Sequence, residues 1–360
     1  MSTRSFSRPL TKVLIGLGFL LGPAGYGATL LGVYDGDQGW KMADVRALES
    51  WQGKKNAVVT LCTDWTPTTK VMNNLFGQQL PNIWNNGNVP LVTWEPFTAA
   101  NTPADVEVRI AAGQYDPYIK SWAGRMKVFL AGVDGNFGTA DDRRAYIRLA
   151  HEMNGNWYPW SAATGGNSPA SYVAMWRRVV TLFDELNLGA WHLQWIWCVN
   201  NDDVGAYPAE SFYPGDGYVD WVAIDGYNWG RSETWSSWES PAELYDGMLT
   251  RIRAVTTKPV ALTEFASTTS GGSVAQKSQW ITDLFSYVSA RNIQLVSWFN
   301  EDKETDWAFF GGAAGDSQIK VGRTTYRAYT AYRSAVASPD LIGAQTSNPR
   351  LLTDAEFSGR

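Results

Sequence analysis

Short apolar runs rich in β-branched and aromatic residues recur along the chain at 30–34, 57–62, 89–94, 145–150, 193–198, 219–225, 259–264 and 294–299. Between several of them lie stretches whose apolar residues return at three- and four-residue spacing, as in 171–186, 242–255 and 275–291. Continuous apolar runs of this length read as buried strands, and the interleaved periodicity reads as amphipathic helices. The connection between the fifth and sixth runs carries loop residues and no helical pattern. Eight strand–helix units predict an α/β fold of one kind, a single (β/α)8 TIM barrel. An open doubly wound sheet is the alternative, but it does not require eight such units. The barrel is expected over residues 28–337, followed by a polar tail, 338–360, that wraps or frays.

Residues 1–27 stand apart from this pattern. Arg4, Arg8 and Lys12 precede an apolar run, 13–21, then Pro23 and small residues, which reads as a signal peptide cleaved between Ala24 and Ala28. The run is too short to span a bilayer comfortably, so export to the periplasm or the medium is expected, with an uncleaved anchor as the alternative.

Composition narrows the chemistry. The 360 residues are 44% hydrophobic and 18% charged, as in folded chains, and a net charge of -5 offers no basic field for nucleic acid. With only two His and two Cys, a four-ligand zinc site is out of reach. Cys62 and Cys198 are expected as buried free thiols, a single disulfide being the other option. The His-Glu pair at 151 and 152 is not a metalloprotease motif, because Gly155 stands where the second His would be needed. There is no Gly-x-Ser-x-Gly elbow, and Gly16, Gly18 and Gly22 have the wrong spacing for a dinucleotide loop. No metal and no cofactor is expected, and the chain is expected to act as a monomer. The abundant residues are aromatic, with 19 Trp, 16 Tyr and 14 Phe. Indole groups are rarely fully buried, so flat faces near the surface suit sugar rings, although an aromatic-rich core alone would also account for them.

A barrel places its active residues at the C-terminal ends of the strands. Those positions are Tyr34, Asp35, Asp64, Trp65, Trp94, Glu95, His151, Glu152, Trp197 and Asn200 in the first five strands. The last three add Asp225, Tyr227, Trp229, Glu264, Trp298 and Asn300. Glu152 and Glu264 end the fourth and seventh strands, so two carboxyl groups from distant sequence face one mouth, as glycoside hydrolysis requires. One must hold a proton and the other must not. Trp157, Tyr158 and Trp160 would raise the pKa of Glu152, while Arg148 or Tyr227 could donate to an ionised Glu264. His151 is open to two readings, a site residue or a satisfied core histidine.

The stretch RLAHEMNGNWYPWS at 148–161 resembles the acid/base segment of glycoside hydrolase family 26, retaining endo-β-glycanases on (β/α)8 barrels. TWEP at 93–96, YVDWVAIDGYNW at 218–229, KPVALTEFAS at 258–267 and SWFN at 297–300 resemble further segments in the family's order. The resemblance implies Glu152 as general acid/base, Glu264 as nucleophile and His151 as the neighbour that orients the site. It implies Tyr227 as the hydroxyl beside the nucleophile, and Trp157 and Trp298 as sugar-stacking residues. Trp94 and Arg148 are carried over as substrate-binding and supporting residues. The substrate it implies is a β-linked polysaccharide, β-mannan first, with mixed-linkage β-glucan or xylan as alternatives. A polysaccharide-binding relative without turnover is the rival of another class. One departure is the stretch 128–144, where Asp134, Asn136, Asp141 and Asp142 offer oxygens for calcium, although a solvated Gly/Asp turn is the simpler reading.

Overall fold

The computed structural model describes residues 28–98 and 101–360. The signal-peptide reading of 1–27 lies outside them. Eight parallel strands close on themselves: β1 (Thr29–Tyr34), β2 (Val58–Asp64), β3 (Val89–Glu95), β4 (Ala145–Leu149), β5 (Leu193–Asn200), β6 (Trp221–Asn228), β7 (Val260–Ser267) and β8 (Leu295–Phe299). Closure is made by β1 against β8, from Leu30 opposite Leu295 to Tyr34 opposite Phe299. All eight apolar runs are therefore strands.

The helices that cover the barrel begin where the sequence supplies caps. Ser168 and Ser171 form a capping box at the start of α1 (Pro169–Asp184), and Ser240 and Glu243 form another at α2 (Pro241–Val255). In both, a proline occupies the first turn, where its missing N–H costs nothing. Tyr172, Met175, Trp176, Val179, Val180 and Phe183 make the buried face of α1. Ser273 caps α3 (Val274–Ala290), whereas β5 and β6 are joined with only a short 3-10 turn at Ala209–Phe212. Among the described residues no helix is long and apolar enough to cross a membrane.

The barrel interior is filled in two chemistries. Its lower part is apolar, with Leu30, Val58, Leu91, Tyr146, Ile196, Trp221 and Leu295 packed together. Above them, Thr60 and Ser297 share a hydrogen bond of 2.8 Å, and Arg148 lies fully buried. The tail does not fray. It adds the two-residue strand Leu341–Ile342 beside β1 and the short helix Asp354–Ser358, and it closes the lower end of the barrel with Leu352 and Phe357. The Phe357 ring lies 4.7 Å from that of Tyr146, and the buried Arg144 guanidinium sits over its face.

The acidic loop before β4 is on this underside, away from the strand ends that face the mouth. Asp141 and Asp142 both accept hydrogen bonds from within the loop. Asp141 accepts from the backbone N–H of Val133 and Asp134 and from the Thr139 hydroxyl, and Asp142 accepts from Gly138 N–H. These contacts make it a hydrogen-bonded turn. Both cysteines are free thiols, Cys198 inside the barrel within 3.2 Å of the Thr263 hydroxyl.

Candidate active site

Glu152 reaches the mouth through strained backbone. Ala150 and Glu152, on either side of His151, have φ of +44° and +54°, in the left-handed region that non-glycine residues avoid. The turn is held by Glu152 N–H on the carbonyl of Cys198 at 2.9 Å and by Ala150 N–H on that of Trp94 at 3.1 Å. Beyond it, Asn154 bonds the carbonyls of Asn200 and Asp202 and accepts from Asn200 N–H, tying this loop to the end of β5. The loop then folds back, so that Trp157 donates its indole N–H to Oε2 of Glu152 at 2.6 Å. Gly155 makes that return possible, because a Cβ there would lie 2.5 Å from the Trp157 ring.

Glu264 is aimed by a different device. Pairing of β7 with both neighbours slips by one residue between Leu262 and Glu264, a β-bulge. Consecutive residues then serve the same interior: Thr263 donates to Asp225, and Glu264 accepts from Arg148. Oε2 of Glu264 takes Arg148 Nη2 at 2.6 Å, and Oε1 takes the Tyr227 hydroxyl at 2.5 Å. Both donors that the sequence offers for Glu264 thus reach it.

Arg148 is the hub. Its Nε and Nη2 donate to the Thr93 hydroxyl at 3.0 and 2.8 Å, and its Nη1 donates to Asp225 at 2.5 Å. His151 lies alongside, 2% exposed, with Nε2 3.0 Å from the Tyr158 hydroxyl. Burial, with Arg148 nearby, pushes its imidazole well below the usual range, so it is neutral. His151, Asp225 and Glu264 bring one ligand-type atom each within 4.8 Å of one another. Arg148 already occupies an oxygen of both carboxylates, which makes the cluster an ion-paired site in place of a metal cradle.

The two glutamates sit in different surroundings. Glu152 is 7% exposed, and desolvation raises its pKa well above the usual carboxyl range, with repulsion from Asp225 and Glu264 adding to it. The Trp157 hydrogen bond and the Arg148 charge pull the other way and lose. Glu264 carries the guanidinium and the phenol instead. Asp225, placed on the rim by sequence without a role, is buried and pushed up to about 7 by desolvation against the pull of Arg148.

Two of the expected substrate-binding tryptophans are elsewhere. Trp94 and Trp298 are both 0% exposed. Trp94 stacks on Trp122 at 4.3 Å under the covering helices, and Trp298 packs among Phe265, Trp280, Phe309 and Tyr332. The reason is strand parity. Side chains alternate between barrel interior and helix layer, so the neighbours Glu95 and Phe299 face the mouth. Phe299 stacks on Tyr34 there, with centroids 4.8 Å apart. Trp157 is half exposed and stands beside Glu152. Trp307, from the loop after β8, packs 4.9 Å from Tyr227 and was not signalled by any strand end.

Residues 28–267 match the model of Glycosyl hydrolase family 26. The chain is 30% identical to Endoglucanase H of Acetivibrio thermocellus over 345 residues, 94% of this chain and 33% of that protein. It is 23% identical to a mannan endo-1,4-beta-mannosidase of Bacillus subtilis strain 168 over 201 residues, 52% of this chain and 55% of that one. It thus spans about a third and about half of the lengths of these relatives. Among solved structures, GH26C from Muricauda sp. MAR_2010_75 superposes with a TM-score of 0.62 at 15% identity, covering 91% of this chain and 90% of that one. The catalytic domain of a Bacillus sp. JAMB-750 GH26 endo-beta-1,4-mannanase gives 0.60 at 16% identity, with 87% of each chain covered. These two show the shared barrel. With the family model spanning most of the barrel, the chain belongs to glycosyl hydrolase family 26.

Proposed function

We propose that this chain is an exported, retaining endo-β-glycanase. The observation that carries the mechanism is the contrast between Glu152 and Glu264. Glu152, desolvated and kept protonated, gives its proton to the glycosidic oxygen as the bond to the anomeric carbon breaks. A Glu264 oxygen, set by Arg148 and Tyr227, bonds to that carbon from the opposite face and forms the glycosyl-enzyme. In the second step Glu152, now a carboxylate, takes a proton from water as the water oxygen bonds to the anomeric carbon and Glu264 leaves. Proton NMR of the first product tests this reading: a β-configured reducing end supports it, and an α-configured one overturns it.

For the backbone of the substrate, we place β-glucan first and β-mannan second. The relative aligned over 94% of the chain is an endoglucanase, whereas the mannosidase of Bacillus subtilis aligns over 52%. β-Mannan keeps its place through the further mannan endo-1,4-beta-mannosidases that also match. Reducing-end release from lichenan, galactomannan, xylan and cellulose decides the order. Export rests on Arg4, Arg8 and Lys12 ahead of the apolar run, and amino-terminal sequencing of the protein recovered outside the cytoplasm checks it.

A further inference from the structure

From the nucleophile outward, aromatic rings follow one another without a gap. Tyr227, bonded to Glu264, lies 4.9 Å from Trp307, Trp307 lies 4.8 Å from Trp229, and Trp229 lies 5.4 Å from Trp235. From Trp307 outward burial falls along the row. Trp307 is buried, Trp229 is half-buried, and Trp235 is 70% exposed. A single exposed aromatic on a surface calls for no explanation, but this one ends a row that starts at a reacting group.

The segment that carries Trp235 is also fixed in place. Asn228 bonds Ser267 and accepts from the backbone N–H of Gly230 and Glu239, pinning both ends of the loop. Gly230 has φ of +53°, and a Cβ there would meet the carbonyl of Ser270 at 2.1 Å, so the chain is pressed against the loop after β7. Arg231 N–H donates to the same carbonyl at 3.0 Å. The exposed indole is therefore held out by a braced loop, which spares a ligand the cost of ordering it.

We propose that Trp229 and Trp235 form an outer sugar subsite of the catalytic cleft, taking a pyranose ring of the same β-glycan chain away from the cleaved bond on the nucleophile side. The occupant follows from continuity with Tyr227 and Glu264 and from ring chemistry: an indole face matches the C–H face of a sugar, and its apolar area leaves water on contact. The subsite rests on the reading of the cleft as a β-glycanase site.

The test uses the full chain and a series of β-glucan or β-mannan oligosaccharides of increasing length. In the unaltered protein, kcat/KM should rise as the chain grows long enough to reach Trp235. In Trp235→Ala that rise should shrink by on the order of tenfold, by analogy with ring stacking on bases. The loss should lie mainly in KM. An unchanged rise with length overturns the proposal. Trp235 is exposed, so its removal leaves the core intact, and an unchanged thermal midpoint verifies this. Retardation in gels containing lichenan or galactomannan, with Glu264→Ala against Glu264→Ala/Trp235→Ala, separates the two readings. Retardation lost with Trp235, in a protein whose unaltered form cleaves nothing, keeps the subsite and sinks the hydrolytic reading. Cleavage together with retardation indifferent to Trp235 does the reverse.

Discussion

The indole N–H of Trp157 donates to Oε2 of Glu152 at 2.6 Å, yet the carboxyl it touches stays protonated above the usual range. Two effects oppose each other there. A hydrogen bond to the ionised form lowers a carboxyl pKa, and burial raises it. Burial wins. The alkaline limb of kcat/KM reports loss of the acid's proton in the free enzyme. Trp157→Phe removes the donor, so the pKa of Glu152 rises further and the proton is held to higher pH. That limb should move to higher pH in the variant. A limb that stays still, or moves down, would show that another group sets it.

Gly155 gives an independent handle on the same contact. Its missing side chain is the space into which the Trp157 ring folds, and a methyl group would stand 2.5 Å from it. Gly155→Ala should push the indole off Glu152, lower kcat/KM about tenfold, and move the alkaline limb as Trp157→Phe does. The pH profile distinguishes this from general loop damage, which would lower the rate at every pH equally.

The carboxyl groups themselves should separate by leaving group. Glu264→Ala should abolish turnover of every substrate, because no leaving group replaces the missing nucleophile. Glu152→Ala should lose roughly 100- to 10,000-fold on polysaccharide yet keep activity on aryl β-glycosides whose leaving groups need no proton. Steady-state rates on a nitrophenyl glycoside and a polymer make the comparison. Polymer activity in Glu264→Ala close to that of the unaltered protein would sink the assignment.

Asp225 shows how one buried ion pair supports another. Arg148 is held between Asp225 and Glu264, with Arg148 and Asp225 fully buried and Glu264 partly so. Removing one partner of a buried pair typically costs about 3 to 5 kcal/mol, because the remaining charge is left uncompensated. Asp225→Asn should therefore lower the urea midpoint substantially. It should also lower kcat with little change in KM, since Arg148 then loses one of the two carboxylates that fix its position against Glu264.

What could be read from the chain follows from what the strands look like chemically. Parallel barrel strands are buried on both faces, so 30–34 or 294–299 stand out as apolar runs, and all eight could be counted. The same property hides parity. Along LVSWF both Trp298 and Phe299 are apolar, and nothing in the sequence tells which enters the mouth. The β7 bulge is equally silent, because one extra residue between Leu262 and Phe265 leaves no compositional mark. Glu152 and Glu264 stood out since charged residues following apolar strand segments are costly without a purpose, although β7 runs on past Glu264 to Ser267 and β4 stops before Glu152. Trp307 was not, since it comes from a loop with no periodic signal.

The parity of β3 makes the last prediction, by opposing two tryptophans that the sequence grouped together. Trp94 is enclosed by Trp65, Trp122 and Phe183, and its indole N–H lies 3.4 Å from the Tyr118 hydroxyl. Trp94→Ala opens a cavity beneath the helices and should cost roughly 3 to 5 kcal/mol of stability. The molecules that stay folded keep the cleft, so their KM should be unchanged. Trp157→Ala should behave in the opposite way. Its ring is half exposed, so the unfolding midpoint should barely move, while kcat/KM on polysaccharide falls with the loss of the contact to Glu152 and of the face offered to sugar. Denaturant unfolding and steady-state kinetics on the same two variants decide the matter. A raised KM in stably folded Trp94→Ala would mean that this ring touches substrate, and the inward assignment of Glu95 on the same strand would fall with it.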